Sequence, residues 1–292
     1  MSAAPHGVDL PALLVRVAAF AREVVAPAAP VWERERRIGR EAIGAAAAFG
    51  LCRIETPAAH GGLGLPFSAK ARIAEILAGA DFAFAFSLVN TGNIANKLAR
   101  EGSPEVIARW VPDLMAGRVI GCTALTEPQA GSDFAAIRTT ATKVPGGWRL
   151  EGEKAWITNA SDADVAVLYA QTEPGSGAKG VAGFVIDAHR AGFARRPAFG
   201  LAGQNAIGTG GFELDGYLAT EAELLQPAGR AFKAAMASIN GARTYVAAMC
   251  CGMLDEALRI VQAYGESRRT FGVPLADHQG WRWIAAEASA EL

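Results

Sequence analysis

A chain of 292 residues, 51% hydrophobic and 20% charged with a formal net charge of −1, has the make-up of a soluble globular protein of two or three domains. The charge balance gives no pull toward nucleic acid or an anionic membrane surface. No apolar stretch is long enough to span a bilayer, and Arg16, Arg22 and Glu23 interrupt the N-terminal apolar residues, unlike a signal peptide; the expected location is the cytoplasm.

Residues 9–118 read as helices. Leu10, Leu13, Leu14, Val17 and Phe20 recur at helical spacing and predict a first helix that stops before Pro27 and Pro30. Residues 39–50 predict an alanine-rich second helix ending at Gly50. The glycine-rich stretch 56–66 reads as a connection, with His60 a plain loop residue. Helical patterns return at 68–80, 82–101 and 103–117, with caps expected at Ser68, Asp81 and Ser103. Ser103-Pro104-Glu105 puts proline at the first helical position, where its missing N–H is harmless.

At Val119 the period changes to that of strands. Residues 139–143, a Pro145-Gly146-Gly147 turn and residues 148–151 predict a hairpin. Short β-branched runs follow at 165–170, 181–186 and 212–214, so residues 119–226 read as a small antiparallel β domain. From Ala228 a long helix is expected to run to near Gly265, its apolar face including Phe232, Ala235, Met249, Met253 and Val261. After Gly272-Val273-Pro274 another helix begins at Asp277 and the sequence stops inside it. Two helices cannot close a bundle on themselves, which leads us to expect further helices from elsewhere. The fold class is α+β: a helical domain (1–118), a β domain (119–226) and part of a helical domain (227–292). Cys52, Cys122, Cys250 and Cys251 show no metal-ligand spacing, so no metal site is expected and all four are read as small core residues.

Two stretches carry chemistry. Leu125-Thr126-Glu127-Pro128-Gln129-Ala130-Gly131-Ser132-Asp133 is a loop of hydroxyls, with Gly131 letting backbone N–H groups approach a ligand. Trp156-Ile157-Thr158-Asn159 puts a flat aromatic two residues before a hydroxyl, and strand alternation would turn both to one side. Such a wall suits a flat heteroaromatic ligand that is polar along one edge.

These two motifs, in this order, resemble the flavin site of the acyl-CoA dehydrogenase family, whose members carry a T-E-P-x-A-G-S-D loop and a W-I-T-N strand. Gly61-Gly62-Leu63-Gly64-Leu65-Pro66 and Arg268-Arg269-Thr270-Phe271-Gly272 match further family segments, and the resemblance runs from about Leu13 to the last residue. It implies FAD as cofactor and α,β-dehydrogenation of an acyl-CoA thioester, a carboxylate removing the α-proton while hydride passes to the flavin. It also implies an electron-transfer flavoprotein as acceptor and assembly as a homodimer or homotetramer.

By the same resemblance Leu125 and Thr126 would contact the isoalloxazine, and Ser132 would lie by the pyrophosphate or the CoA arm. Trp156 would cover the ring and Thr158 bond its polar edge. Arg268, Thr270, Phe271, Leu275, His278 and Gln279 belong to the segment that reaches a neighbouring subunit's FAD. Arg243 holds the position of an arginine near the acyl-CoA cleft. Read without the family, Arg268 is a solvated helix end, His278 a helix-surface residue and Arg243 a side chain snorkelling to the rim.

One departure stands out. Most family members carry the catalytic glutamate beyond the matched region, and a minority carry it just before Arg243, where this chain has Ala242. Glu127 and Asp133 read as structural. Three readings stay open: part of a dehydrogenase, a half-site subunit whose base comes from a partner, or a flavin mono-oxygenase or oxidase of the same fold. In each the expected FAD affinity of this chain alone is weak.

Overall fold

The computed structural model describes residues 7–292. It starts with α1 (Leu10–Phe20), whose first turn is capped by Asp9 accepting the Ala12 N–H at 3.1 Å. The predicted stop before Pro27 does not occur. A π-helical turn, Ala21–Val25, leads directly into α2 (Ala26–Glu35), and Pro30 sits inside that helix. A proline ring clashes with the carbonyl four residues back in a regular α-helix. Here the Ala26 N–H reaches back five residues to the Ala21 carbonyl, and this widened turn just before Pro27 gives room for its ring.

Four more helices complete the N-terminal region: α3 (Arg40–Ala48), α4 (Phe67–Ala80), α5 (Phe82–Glu101) and α6 (Pro104–Met115). Asp81 and Ser103 cap α5 and α6 as expected, accepting the N–H groups of Phe84 and Val106. Ser68 does not cap α4; that helix begins one residue earlier, behind Pro66. The core between these helices is aromatic as well as aliphatic, with Phe84 of α5 stacked on Trp32 of α2 at 5.4 Å between centroids.

An eight-stranded sheet follows, in the order β6-β7-β3-β2-β4-β5-β8, with β1 also on β4. Its strands are β1 (Gly121–Ala124), β2 (Thr140–Val144), β3 (Gly147–Ile157), β4 (Val165–Gln171), β5 (Val181–Asp187), β6 (Phe193–Arg195), β7 (Gly210–Thr220) and β8 (Leu224–Gln226). The hairpin β2–β3 is as read from the sequence, but β3 and β7 are each 11 residues long and pair along their length. The sheet is not wholly antiparallel. β1 runs parallel to β4, with Gly121 opposite Val165, so the chain leaves β1 already beside the sheet's fully buried centre.

The chain then forms α7 (Ala231–Ser267), a two-stranded ribbon of β9 (Arg269–Thr270) and β10 (Val273–Pro274), and α8 (Gln279–Glu291). α7 packs on α4 at backbone distance, because a Cβ at Gly252 would stand 2.0 Å from the Glu75 carbonyl oxygen. The buried residues of α7 are Ala231, Ala235, Tyr245, Met249, Gly252 and Gly265, a narrower stripe than the apolar periodicity suggests. Met253, Leu254, Val261, Trp283 and Ile284 are exposed. Cys250 and Cys251 lie on that exposed side, so only Cys52 and Cys122 are core residues. Among the described residues no helix is long and apolar enough to cross a membrane, and no cluster of side chains could hold a metal ion.

Candidate functional site

The loop after β1 is tied to β3 by a buried ion pair. Glu127 and Lys154 are 3% and 1% exposed, and Lys154 Nζ donates to Glu127 Oε1 at 2.8 Å and to the Leu125 carbonyl at 2.9 Å. The carboxylate also accepts the backbone N–H groups of Arg138 (2.6 Å) and Thr139 (3.0 Å) and the Gln129 amide (2.7 Å). Burial pushes the Glu127 carboxyl upward, yet Lys154 and these hydrogen bonds outweigh it and hold the group below its ordinary value. Burial likewise pushes the Lys154 ammonium down, to about 8, with Glu127 pulling the other way. Backbone stitching completes the clamp: the Ala155 N–H donates to the Thr126 carbonyl at 3.1 Å.

Where β3 ends, its regular alternation fails. The β3–β7 register shifts between Lys154 and Ile157, so β3 carries one residue more than its partner, and Trp156 takes a left-handed backbone with φ 60°. Thr158 lies beyond the strand in a turn. The strand alternation expected to align Trp156 with Thr158 therefore does not operate; a bulge and a turn orient them instead. Trp156 remains 56% exposed and stacks on Phe199 at 4.1 Å. Asn159, also left-handed at φ 67°, anchors the turn by donating to the Ser87 carbonyl of α5 and the Gly121 carbonyl of β1.

Leu125, Thr126, Trp156 and Thr158 line one cavity of about 390 Å³, within the range of small-ligand sites. The sheet forms one wall, and α5 and α7 form the other through residues such as Asn90, Asn93, Ala235 and Ala242. The hydroxyls of Thr126 and Thr158 make no hydrogen bond among the described residues, which leaves both available to a ligand in the cavity they line. Opposite them is a polar group that sequence reading missed. Lys70, 7% exposed, is ion-paired with Glu55 and donates to Asn93 Oδ1 at 3.0 Å, and Asn93 Nδ2 donates to the Tyr245 hydroxyl at 3.1 Å. The Lys70 ammonium also lies 4.7 Å from the Phe67 ring centroid and 5.0 Å from that of Tyr245. The signal was visible: Lys70 interrupts the apolar stripe Ala69, Ile73, Ala74, Leu77 of α4.

The other expected residues stand apart from this cavity. Ser132 is exposed in the loop, and Arg243 is exposed on α7, outside the cavity wall. Arg268 and Gln279 are exposed, Leu275 is half-buried, and Phe271 is 99% exposed with φ 50°. His278 is not a free surface residue: its Nε2 is 2.8 Å from the Thr270 hydroxyl, bracing the ribbon that carries Phe271. Within one chain, then, the two flavin-like motifs converge while the Arg268–Gln279 segment does not reach them. The carboxylates that line the cavity are Glu55 and Glu101, and both are engaged, the latter by Lys97 and Gln226.

Comparison with known proteins matches three family models along the chain. They are the acyl-CoA dehydrogenase N-terminal domain over residues 10–118, the middle domain over 122–217 and the C-terminal domain over 229–292. An acyl-CoA dehydrogenase of Bacillus subtilis (strain 168) is 33% identical over 265 residues, covering 89% of this chain and 69% of that protein. Across eight of the curated relatives it matches, the chain spans 57% to 69% of their length. Among solved structures, butyryl-CoA dehydrogenase from Megasphaera elsdenii superposes with a TM-score of 0.91 at 25% identity, over 100% of this chain and 77% of that one. A glutaryl-CoA dehydrogenase from Mycobacterium smegmatis, in complex with FADH2, superposes at 0.90 and 27% identity, over 98% and 72%.

Proposed function

The chain belongs to the acyl-CoA dehydrogenase family, and on that premise we propose that its cavity holds the ring of FAD against an acyl-CoA thioester. The observation that carries the reading is the convergence of Leu125, Thr126, Trp156 and Thr158 on one cavity from two segments some 30 residues apart, about the reach of one supersecondary unit. The fit to a flavin rests on the same residues. A flat apolar face comes from Trp156, which is 56% exposed and stacks on Phe199. Two hydroxyls without partners among the described residues, Thr126 and Thr158, suit the polar edge of such a ring. FAD supplies a two-electron acceptor for hydride taken from the acyl chain. The chain's own part is to grip, orient and exclude water: the Glu127–Lys154 clamp fixes the loop, and Asn159 fixes the turn.

The base is a separate matter. Ala242 lines the cavity with a methyl group, and both lining carboxylates are ion-paired. We infer that the residues lining this cavity bind and orient but do not themselves abstract the α-proton. That observation favours, as a second reading, a half-site whose base is supplied by residues outside the cavity. The ribbon bearing Arg268, Thr270 and Phe271 would then serve a neighbouring copy's flavin in a homo-oligomer, and an electron-transfer flavoprotein would take the electrons.

The test is a titration of the chain with FAD, followed by tryptophan emission and visible absorption. Quenching that saturates in the wild type and is lost in Trp156→Ala is the expected result. Unchanged quenching in the variant would remove Trp156 from the flavin wall. Bleaching of the bound flavin by an acyl-CoA would show that a base is present after all.

A further inference from the structure

The wall of the cavity facing the flavin motifs sets several polar side chains among its apolar ones. Asn90 of α5 is 8% exposed, lines the cavity and makes no side-chain hydrogen bond among the described residues. One turn along, Asn93 is held between the Lys70 ammonium and the Tyr245 hydroxyl. Arg100 also lines the cavity. Its contacts are the Asn96 side chain and the Glu55 carbonyl, and no carboxylate lies within ion-pair distance of it among the described residues. Lys70, Lys97 and Arg100 set against Glu55 and Glu101 leave the lining with three positive and two negative side chains, a surplus of one positive charge.

A plain alkyl chain pressed into this space would cut the Asn90 amide off from solvent and offer it no hydrogen bond in return. An acyl chain that carries oxygen would satisfy it. We propose that the cavity is built for an acyl-CoA whose acyl chain ends in an oxygen function, a carboxylate or a hydroxyl, and that Asn90 and the Lys70–Asn93–Tyr245 network read that group. The proposal rests on the acyl-CoA reading above and narrows its substrate class. A methyl terminus and an oxygen terminus differ little in size, so discrimination comes from the unpaired amide rather than from shape. Sites built to bond a polar group reject an analogue that lacks it far more strongly than apolar pockets reject an added hydroxyl.

The experiment is calorimetric binding of three five-carbon thioesters, pentanoyl-CoA, 5-hydroxypentanoyl-CoA and glutaryl-CoA, to the full chain in saturating FAD, with free CoA as reference. The expected result is that at least one oxygen-bearing thioester binds about tenfold or more tightly than pentanoyl-CoA, the scale set by one unsatisfied buried amide. A lead for glutaryl-CoA would bring Arg100 and the surplus charge into the recognition; a lead for the hydroxy acid would leave the amides as its source. Asn90→Leu should erase or invert the preference while leaving the affinity for free CoA unchanged. Pentanoyl-CoA binding as tightly as both others overturns the proposal and leaves the acyl-CoA reading standing. If no thioester binds more tightly than free CoA, the acyl-CoA reading itself falls, and this proposal with it.

Discussion

Replacing Glu127 by glutamine tests the clamp that joins the two halves of the site. The substitution keeps the shape and removes the charge. Each oxygen of Glu127 accepts two hydrogen bonds: Lys154 and the Thr139 N–H on one, Gln129 and the Arg138 N–H on the other. Glutamine has one oxygen, so either orientation turns its NH2 toward two donors, and Lys154 is left 1% exposed without a counter-ion. Removing one partner of a buried pair destabilises by about 3–5 kcal/mol, a large fraction of the roughly 5–15 kcal/mol that holds a typical domain. Urea unfolding followed by far-ultraviolet circular dichroism measures it. The double change Glu127→Gln with Lys154→Met should be less destabilising than the sum of the single changes, since it leaves no orphaned charge. A single-variant loss under about 1 kcal/mol, or strict additivity, would refute the argument that burial makes this pair strong.

The same pair predicts how stability follows pH. The folded-state value of Glu127 lies below its ordinary 4.5, so its contribution is fully present above that value and lost as pH falls further, steepening acid unfolding in the wild type relative to Glu127→Gln. Lys154 titrates near 8 when folded against an ordinary 10.5, so between those values the unfolded state binds more protons and this group's contribution to stability rises with pH. Stability curves of the wild type and of Lys154→Met across that window check the sign. At the helix contact, Gly252→Ala drives a methyl toward the Glu75 carbonyl and should cost about 1–3 kcal/mol or more by urea unfolding, while Gly241→Ala, whose Cβ meets only the Phe67 ring at 3.6 Å, should be neutral or stabilising. Of the four thiols, native protein should expose Cys250 and Cys251 to a thiol reagent and protect Cys52 and Cys122, which burial pushes up to about 12; four rapid reactions in native protein would contradict the packing. At the bulge, Trp156→Gly should be more stable than Trp156→Ala by about 1 kcal/mol, because only glycine occupies φ 60° without strain; equal unfolding midpoints would place no strain there.

Helix positions were legible where local chemistry decides them. Asp81 and Ser103 cap because a short oxygen-bearing side chain in extended backbone reaches the free N–H groups of the next turn. The rule that proline ends a helix failed at Pro27, since its cost can be absorbed by a widened turn that leaves no trace in composition. β6 and β8, three residues each, were illegible because pairing with a long neighbour, not intrinsic preference, makes them strands. The apolar face of α7 was read too broadly: periodicity reports which side chains are apolar, not which of them meet a partner.

At the site, the motifs located the residues but not the mechanism that orients them. Trp156 and Thr158 face one cavity through a bulge and a left-handed turn, and those depend on the β7 register and on Asn159 reaching two carbonyls 34 residues apart in sequence, on α5 and β1. Such strain persists only where the surroundings over-determine it. Here three independent ties meet within six residues of β3 and its turn: Lys154 to the loop carboxylate, Ala155 to the loop backbone, and Asn159 to the helical region. A tryptophan at φ 60° costs strain that glycine would avoid, and with 56% of it exposed its packing returns only part of what a buried tryptophan would give. The ties are what let the chain keep it, and they bind the loop, the sheet and α5 at the point where a flat ligand would have to be gripped from all three.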